Sequence, residues 1–489
     1  MEKTNVMDIT HSDYQETIDQ VYLIRDSIEG SNSIKNGDRS GNYLMDPVDD
    51  DSKRQSRSSY VTDKFKNYKM RAEFESFPAK TESGYMGSLS STLPEYAEIP
   101  SAIEYLMDDS DGNGLSINES IEITQANLLE VKYHGLLADF SVLDDADIQP
   151  LTAKQADDMG LKATIKHYPR ETILDWDYSL FDGKKMLSFV KVQENSSYVD
   201  KGTFKTVTKE RQLVLGLNDK QQYYQQSITK DDEGKEVIGE PVFVSNNSGV
   251  MNFIPFEFVI DQKIKSMDIP RGFGILYPIC LKAIYRYQVS ADLKESIHRT
   301  AMPTSYSTGW TTAKYESYKK MTGKETICIG SDSHIPLPDG AEIGYLQWDA
   351  DSNAMFKYME INQKEAKAMG ARFDTSDARD ETVGVAMLRS SEELSALINI
   401  QSAVESAYIK VLGWCFDFMS RVDSNMKIEL NLNREFNKIK ISPQEQKEIR
   451  DNVTMGIYSK IEGLRLLEQG GVLTDEAEII LNEATTMEE

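Results

Sequence analysis

The stretch Asp108–Ser120, "DDSDGNGLSINES", holds residue types that grip a hard cation, at the spacing of an EF-hand loop. Asp109, Asp111 and Asn113 fall on the first, third and fifth ligand positions, and Gly114 on the sixth, where the loop must turn sharply. The twelfth position should bring a bidentate Glu; here it is Ser120, and Glu119 comes one residue early. Asp, Asn and Gly also build ordinary turns, because they tolerate left-handed backbone and hydrogen-bond to it locally. The expectation is a turn that holds no metal. An acidic calcium-dependent binding protein using the 108–120 loop is the rival.

No other stretch offers a reaction centre. The chain lacks the phosphate-cradling GxxxxGK[ST], the dinucleotide GxGxxG, HExxH, a CxxC pair and a GxSxG elbow. Its five histidines, at 11, 134, 167, 298 and 334, are scattered, and none is expected beside a Ser or Cys nucleophile. Adjacent acids are too common in so acidic a chain to nominate a glycosidase pair. The expectations are no catalytic residue, no enzyme activity and no cofactor.

The elements that would position any site lie in a chain of 489 residues, long enough for two to four domains. Its 54 basic and 80 acidic residues give a formal charge of −26, which repels phosphate and disfavours nucleic-acid binding through a broad basic patch. Cys280, Cys328 and Cys415 are too few for a disulfide framework and point to a reducing compartment. The start, "MEKTNVMDITHSDYQETIDQ", has no basic and apolar signal pattern, and no apolar run approaches a bilayer span, so a soluble protein without a membrane role is expected.

Residues 1–70 read as polar, with "NGDRSGNY" and "DPVDDDSKRQSRSS" as loops, and Gly84 and Gly87 break the apolar pieces that follow. "LSINESIEITQANLLEVKYHGLLADF" reads as one longer helix. From about 164 to 260, β-branched and aromatic runs separated by "FDGK", "LNDK" and "DDEGK" predict an antiparallel sheet of hairpins. A helix is expected over 274–300, then a loop-and-strand insert to 350, and a second helix from 353 closed by Gly370. The charged loop 371–381 leads into a helix over about 382–421. There Met387, Leu394, Leu397, Val404, Tyr408, Val411, Cys415 and Met419 mark one buried stripe. "KIELNLN" reads as a strand, and Ser442–Glu445 and Ser459–Glu462 as capping boxes of a helical tail.

The order of these elements resembles the portal proteins of tailed bacteriophages, the head-to-tail connectors, of the DUF4055 type. The strongest likeness is "YRYQVSADLKESIHRTAMPTSYSTGW", followed by "IPLPDGAEIGYLQWDADS", "EAKAMGARF" and "DETVGVAMLRSSEELSALINI". "IEGSNSIKNGDRSGNYL", "KMRAEFESFPAKTESGYMGSL" and "YPRETILDWDYSLFDGKKMLSFVKVQE" are similar to earlier segments, so the likeness spans about residues 20–470. Met45 stands where the family has Pro after Tyr-Leu, and Val383-Gly384-Val385 departs from its Thr-Ala step.

The resemblance implies an α+β portal fold with seven segments. Residues 1–271 would form the wing, an α/β region with its antiparallel sheet at about 164–260. Residues 272–300 and 351–370 would be two stem helices flanking a small clip insert, 301–350. A tunnel loop would follow at 371–381, then a long wing-spanning helix and wing return at 382–441 and a short helical crown at 442–489. It further implies a homo-oligomer of twelve subunits at one capsid vertex of the virion, assembled in the host bacterial cytoplasm. Its partners would be passing double-stranded DNA, the terminase large subunit, a head-tail adaptor, and major capsid and scaffolding proteins. For the DNA channel the nominees are Arg372, Arg379, Asp374 and Asp377 on the tunnel loop and Lys282, Arg286, Lys364 and Lys367 on the stem. The bland alternative gives these stem cations to solvent or to ion pairs between subunits. Another kind of virion structural protein is the remaining alternative.

Overall fold

The computed structural model describes residues 5–37, 39, 41, 43–45, 59–140, 162–181, 183–199, 202, 204–231, 234–246, 249–261, 269, 271–301, 304–323, 339–346, 353–372, 383–419, 428–434, 443–455 and 459–469. The chain is α+β, with helices and antiparallel sheets. It divides into two compact units: residues 1–21, 82–275 and 377–489 make one, and 22–81 with 276–376 the other.

In the first unit the strands are β1 (Glu95–Glu98), β2 (Tyr133–Phe140), β3 (Ala163–Pro169), β4 (Ile173–Phe181), β5 (Lys184–Val199), β6 (Thr206–Leu217), β7 (Tyr223–Lys230), β8 (Glu236–Ile238), β9 (Val242–Phe243), β10 (Ser245–Asn246), β11 (Gly249–Val250) and β12 (Phe256–Ile260). One sheet runs β4-β5-β6-β7-β8 with β9 also on β7, and a second runs β12-β2-β3. The expected hairpins are present: β4 meets β5 across Phe181↔Lys184, and Asn218 Oδ1 accepts from the Lys220 and Gln222 amides to turn β6 into β7. "KIELNLN" contributes the strand Glu429–Asn431, which pairs with β1.

The helix expected to run on to Phe140 ends at Val131 instead; it spans Ile117–Val131 and is closed at Ser116 by a reciprocal capping box with Glu119. Lys132 turns the backbone at φ 78, and "YHGLLADF" becomes β2. The apolar run misled because every residue from Tyr133 to Asp139 is buried, so the two-residue alternation of a half-exposed strand is missing. Gly274 comes so close to this turn that a Cβ there would stand 2.0 Å from the Leu129 carbonyl oxygen, while its amide donates to Glu130 at 3.2 Å. The turn is pinned by Arg170, only 3% exposed, which donates to the carbonyls of Val131 (2.9 Å) and Gly272 (2.7 Å) and to Thr17 Oγ1 (3.1 Å). Its guanidinium lies over the rings of Tyr133 and Phe273.

The Val383–Met419 helix packs on β2, β3 and β12 through the expected stripe. Leu397, Val404, Tyr408, Val411 and Cys415 are buried, Leu394 and Met419 half-buried, and the side chain of Met387 lies outside the described residues.

The second unit centres on the helices Tyr277–Ala301 and Asn353–Ala368, which pack against each other. Pro278 sits in the first turn, where a missing amide costs no hydrogen bond. Gly370 follows the second helix at φ 93. Between them stand β13 (Thr304–Thr308) and β14 (Glu342–Leu346), an antiparallel pair, and a helix, Thr312–Thr322, that the sequence did not suggest. Thr311 Oγ1 caps its start and Gly323 at φ 69 ends it; Tyr318 is buried, with Trp310 packed edge-on at 5.4 Å.

Three helices lie in or next to the polar stretch 1–70, for which no helix was expected: Ser12–Glu29, Ser31–Asn36 and Ser59–Arg71. The Phe77–Leu89 helix runs through Gly84 and Gly87 rather than breaking there. Phe77, Thr81, Tyr85 and Leu89 recur every four residues and all are buried. Burying a large side chain gains roughly 1.5–3 kcal/mol, more than the about 1 kcal/mol each glycine costs. In the tail, Ser459 and Glu462 form the expected capping box on Lys460–Gln469, while Ser442 lies outside the described residues.

Candidate functional site

The residues nominated on the stem fall on the two central helices of the second unit, and their surroundings are polar and specific. Residues 72–76, "AEFES", follow the Ser59–Arg71 helix and meet the Tyr277–Ala301 helix through a series of polar contacts. Glu75 meets Arg286 (2.7 Å), Ser290 Oγ both receives from the Glu73 amide (3.0 Å) and donates to its carbonyl (2.9 Å), and the Glu73 carboxylate meets Lys294 (3.0 Å). Arg71 pairs with Glu295, and Tyr68 donates to Asp292 at 2.6 Å. Burial, then this carboxylate, raises the Tyr68 phenol well above its ordinary pKa.

Arg286 is therefore committed twice, since its other arm donates to the Met359 carbonyl at 2.7 Å on the second helix. Lys282 pairs with Glu365 at 2.5 Å, and buried Asn362 donates to the Lys282 carbonyl at 3.3 Å. Both cations fasten the helix pair. Lys364 is exposed and Lys367 half-buried. Arg372 is exposed, but its amide donates to buried Thr81 Oγ1 at 3.0 Å, anchoring the start of the 371–381 stretch. Asp374, Asp377 and Arg379 lie outside the described residues.

A second polar cluster was not anticipated. Arg39 pairs with Asp26 at 2.6 Å and also with Glu29, and Tyr43 donates to Asp26 at 2.7 Å. Hydrogen bonding from Arg39, with help from Ser33, pulls the Glu29 carboxyl down to about 2.

In the first unit the calcium-like loop is a self-satisfied turn. Asp109 Oδ1 accepts from the amides of Gly112 (2.8 Å) and Gly114 (2.9 Å), and Asp111 Oδ1 from those of Asn113 (2.8 Å) and Leu115 (3.2 Å). Gly112 and Gly114 supply φ of 82 and 91, which side chains resist. Glu119 is spent on its capping box, and Ser120, at the position where an EF-hand closes, points into the core.

There the structure corrects the expectation that no histidine neighbours a serine. Ser120 Oγ lies 2.8 Å from His167 Nε2, and His167 Nδ1 lies 3.0 Å from His134 Nε2. This is the spacing of a nucleophile, base and orienting group. Yet Ser120 and His134 are 0% exposed, and the Ser120 hydroxyl is shared with Tyr408 at 2.7 Å, which also meets Thr124 at 3.1 Å. A nucleophile sealed from substrate cannot react, so the arrangement joins a helix, two strands and the long helix. Burial pushes the His167 imidazole down to about 4, weakly opposed by the charge of Asp111. The sequence signal was slight: these five residues are separated by up to 288 positions.

Among the described residues no group of three or more His, Cys, Asp or Glu could hold a metal ion, and no helix is long and apolar enough to cross a membrane.

This is an α+β chain whose second unit is a polar-fastened helix pair around a small insert. Residues 277–419 match the family model described as "Domain of unknown function (DUF4055)", so this stretch, from the first of those helices to the end of the long one, carries that domain. No curated protein matches the chain. Similar solved structures include a chain of "Virion of native gene transfer agent (GTA) particle", with TM-score 0.38, 11% identity, and coverage of 80% of this chain and 89% of that one. Chains of "Neck of native GTA particle computed with C12 symmetry" (0.36, 10%, 80% and 89%) and "Neck of empty GTA particle computed with C6 symmetry" (0.37, 11%, 80% and 88%) are also similar.

Proposed function

We propose that this protein is the portal of a tailed phage or phage-like particle. Copies form a ring at one vertex of the capsid, through which double-stranded DNA passes during packaging and ejection and on which terminase and a tail adaptor dock. One observation carries the reading. Within the DUF4055 stretch, two paired helices flank a small insert and lead through a charged segment into a 37-residue helix, in the order the sequence resemblance implies. A role in the virion fits a chain in which the Ser120–His167 contact is sealed in the core.

In this reading residues 272–300 and 351–370 are the stem, 301–350 the clip, 371–381 the tunnel loop, and 442–489 the crown. The exposed Tyr285, Phe356, Tyr358 and Ile361 on the stem helices are surfaces that a neighbouring subunit would cover. Twelve copies at −26 line a conduit that a polyanion slides along without sticking, and a few cations centre it. Arg372, Arg379, Lys364 and Lys367 are proposed for that role, with Asp374 and Asp377 preventing tight hold. Lys282 and Arg286 contribute their charge while fastening the stem.

Deleting residues 305–345 tests the map. The expected product is a soluble ring that no longer binds terminase or joins tails; a deletion that packages and joins tails as the full chain does would overturn it.

A further inference from the structure

The sheet β4-β5-β6-β7-β8 has two faces, and the alternation of its strands assigns residues to each. Val190, Val192, Leu213, Leu215 and Tyr223 share one face and are buried in the core. On the other face the register aligns Lys191 with Val214, Gln212 with Ile228 and, at the edge, Ile228 with Ile238, two residues from Glu236. A sheet face turned from the core ordinarily meets solvent, and lysine is among the residues least often buried. Yet Lys191 is 2% exposed and Gln212 4%, and Val214 and Ile228 are buried too. Residues 5–9 lie over them.

The sheet grips this segment with side chains that read its backbone. The Glu236 carboxylate accepts from the amides of Val6 (2.9 Å) and Met7 (2.7 Å). Lys191 Nζ donates to the carbonyls of Val6 (3.0 Å) and Ile9, and Gln212 Nε2 to that of Met7 (3.0 Å). Only one side chain goes in. Met7 is buried with Val214 and Ile228, and Phe189 and Tyr224 pack around them, while Asn5, Val6, Asp8 and Ile9 are exposed. Main-chain hydrogen bonds that give affinity, with one pocket that selects a side chain, are how proteins hold short peptides.

Little else attaches the segment. Among the described residues no backbone-to-backbone hydrogen bond joins residues 5–9 to a strand. The first such bond comes at His11, whose amide donates to the Leu174 carbonyl at 2.9 Å and whose ring stacks on Trp176 at 4.1 Å. The fit also leaves an acceptor idle: Gln212 Oε1 is buried with no hydrogen-bond partner among the described residues. The segment is therefore a tethered occupant, anchored at His11, and not a strand of the sheet. An element with one buried side chain opens at a lower free energy than the sheet beneath it.

We propose that this sheet face is a peptide-binding site and that Asn5–Ile9 is its resident, exchangeable ligand. The class of ligand is a short peptide with one long, unbranched apolar side chain where Met7 sits. The site belongs to a single chain and stands or falls apart from the ring. Met7→Asp in the full chain frees the site, and a fluorescein-labelled peptide of residues 5–10, "NVMDIT", is titrated onto it by anisotropy. Saturable binding is expected. It should be about tenfold or more weaker on the unmodified chain, whose own segment competes at an effective concentration on the order of millimolar. Adding Lys191→Met to the Met7→Asp chain, or making Met7→Asp in the peptide, should abolish it. In the unmodified chain the Met7 amide should exchange its hydrogen about a hundredfold or more faster than the Leu215 amide of β6, as the segment opens while the sheet stays closed. Equal affinity for the two chains, no saturable binding to a folded Met7→Asp chain, binding that Lys191→Met leaves unchanged, or equal exchange at Met7 and Leu215 overturns the proposal. So does a Met7→Asp chain whose sheet unfolds, because the segment is then part of the core and not a ligand.

Discussion

Replacing His167 by Gln should flatten the acid response of the first unit. In the folded chain burial holds the imidazole at about 4, whereas an unfolded histidine titrates near its ordinary 6.5. The folded pKa is the lower one, so as pH falls through this window the unfolded state takes up the proton first and is favoured. The contribution is fully present above about pH 7 and is lost progressively between pH 6.5 and 4. Linkage gives a loss of about 2 kcal/mol by pH 5 and about 3 kcal/mol by pH 4, with a steepest slope near 1.4 kcal/mol per pH unit. The groups facing the ring are His134, Ser120 and, by charge, Asp111; Tyr408 and Thr124 close the network behind Ser120. Glutamine keeps a partner for Ser120 and cannot titrate. Urea unfolding followed by tryptophan fluorescence, at steps from pH 7.5 to 4.5, measures both chains; Trp176 and Trp414 report from the same unit. Parallel stability curves for the two chains would refute the buried neutral imidazole.

Arg286→Ala should lower the stability of the second unit by about 1–3 kcal/mol, chiefly because it strands the Met359 carbonyl and to a smaller extent because it removes the partner of the part-exposed Glu75 carboxylate. Adding Glu75→Ala should cost less than the sum of the single changes, and strict additivity in thermal unfolding would count against the strap. Reversing both tunnel-loop arginines, Arg372→Glu with Arg379→Glu, should leave rings intact in electron micrographs while shortening or destabilising packaged DNA. Full-length genomes in stable heads would exclude a DNA-contacting role for them.

The parts legible in the sequence were those with a local period. The stripe from Leu397 to Cys415, Pro278 in a first turn and Gly370 after a last one marked three long helices to within a few residues. Strand β2 was misread because burial on both faces erases alternation, and the Phe77–Leu89 helix because glycines outvoted a four-residue apolar repeat. The candidate site was legible as residue types and not as partnerships. Lys282 and Arg286 could be nominated as cations on a helix face, but the carboxylates they pair with stand 83 and 211 residues away, a separation that carries no periodic trace. The same holds for Ser120 and His167, which meet across 47 residues only because the helix and β3 pack together.

The central claim is that this chain assembles into a closed ring. Mass photometry of the purified protein at physiological salt measures it directly. Twelve copies of a 55.4 kDa subunit should give a peak near ~665 kDa, with ring-shaped particles in the same sample by negative-stain microscopy. A single peak at the monomer mass across the accessible concentrations, with no ring in the micrographs, would contradict the account.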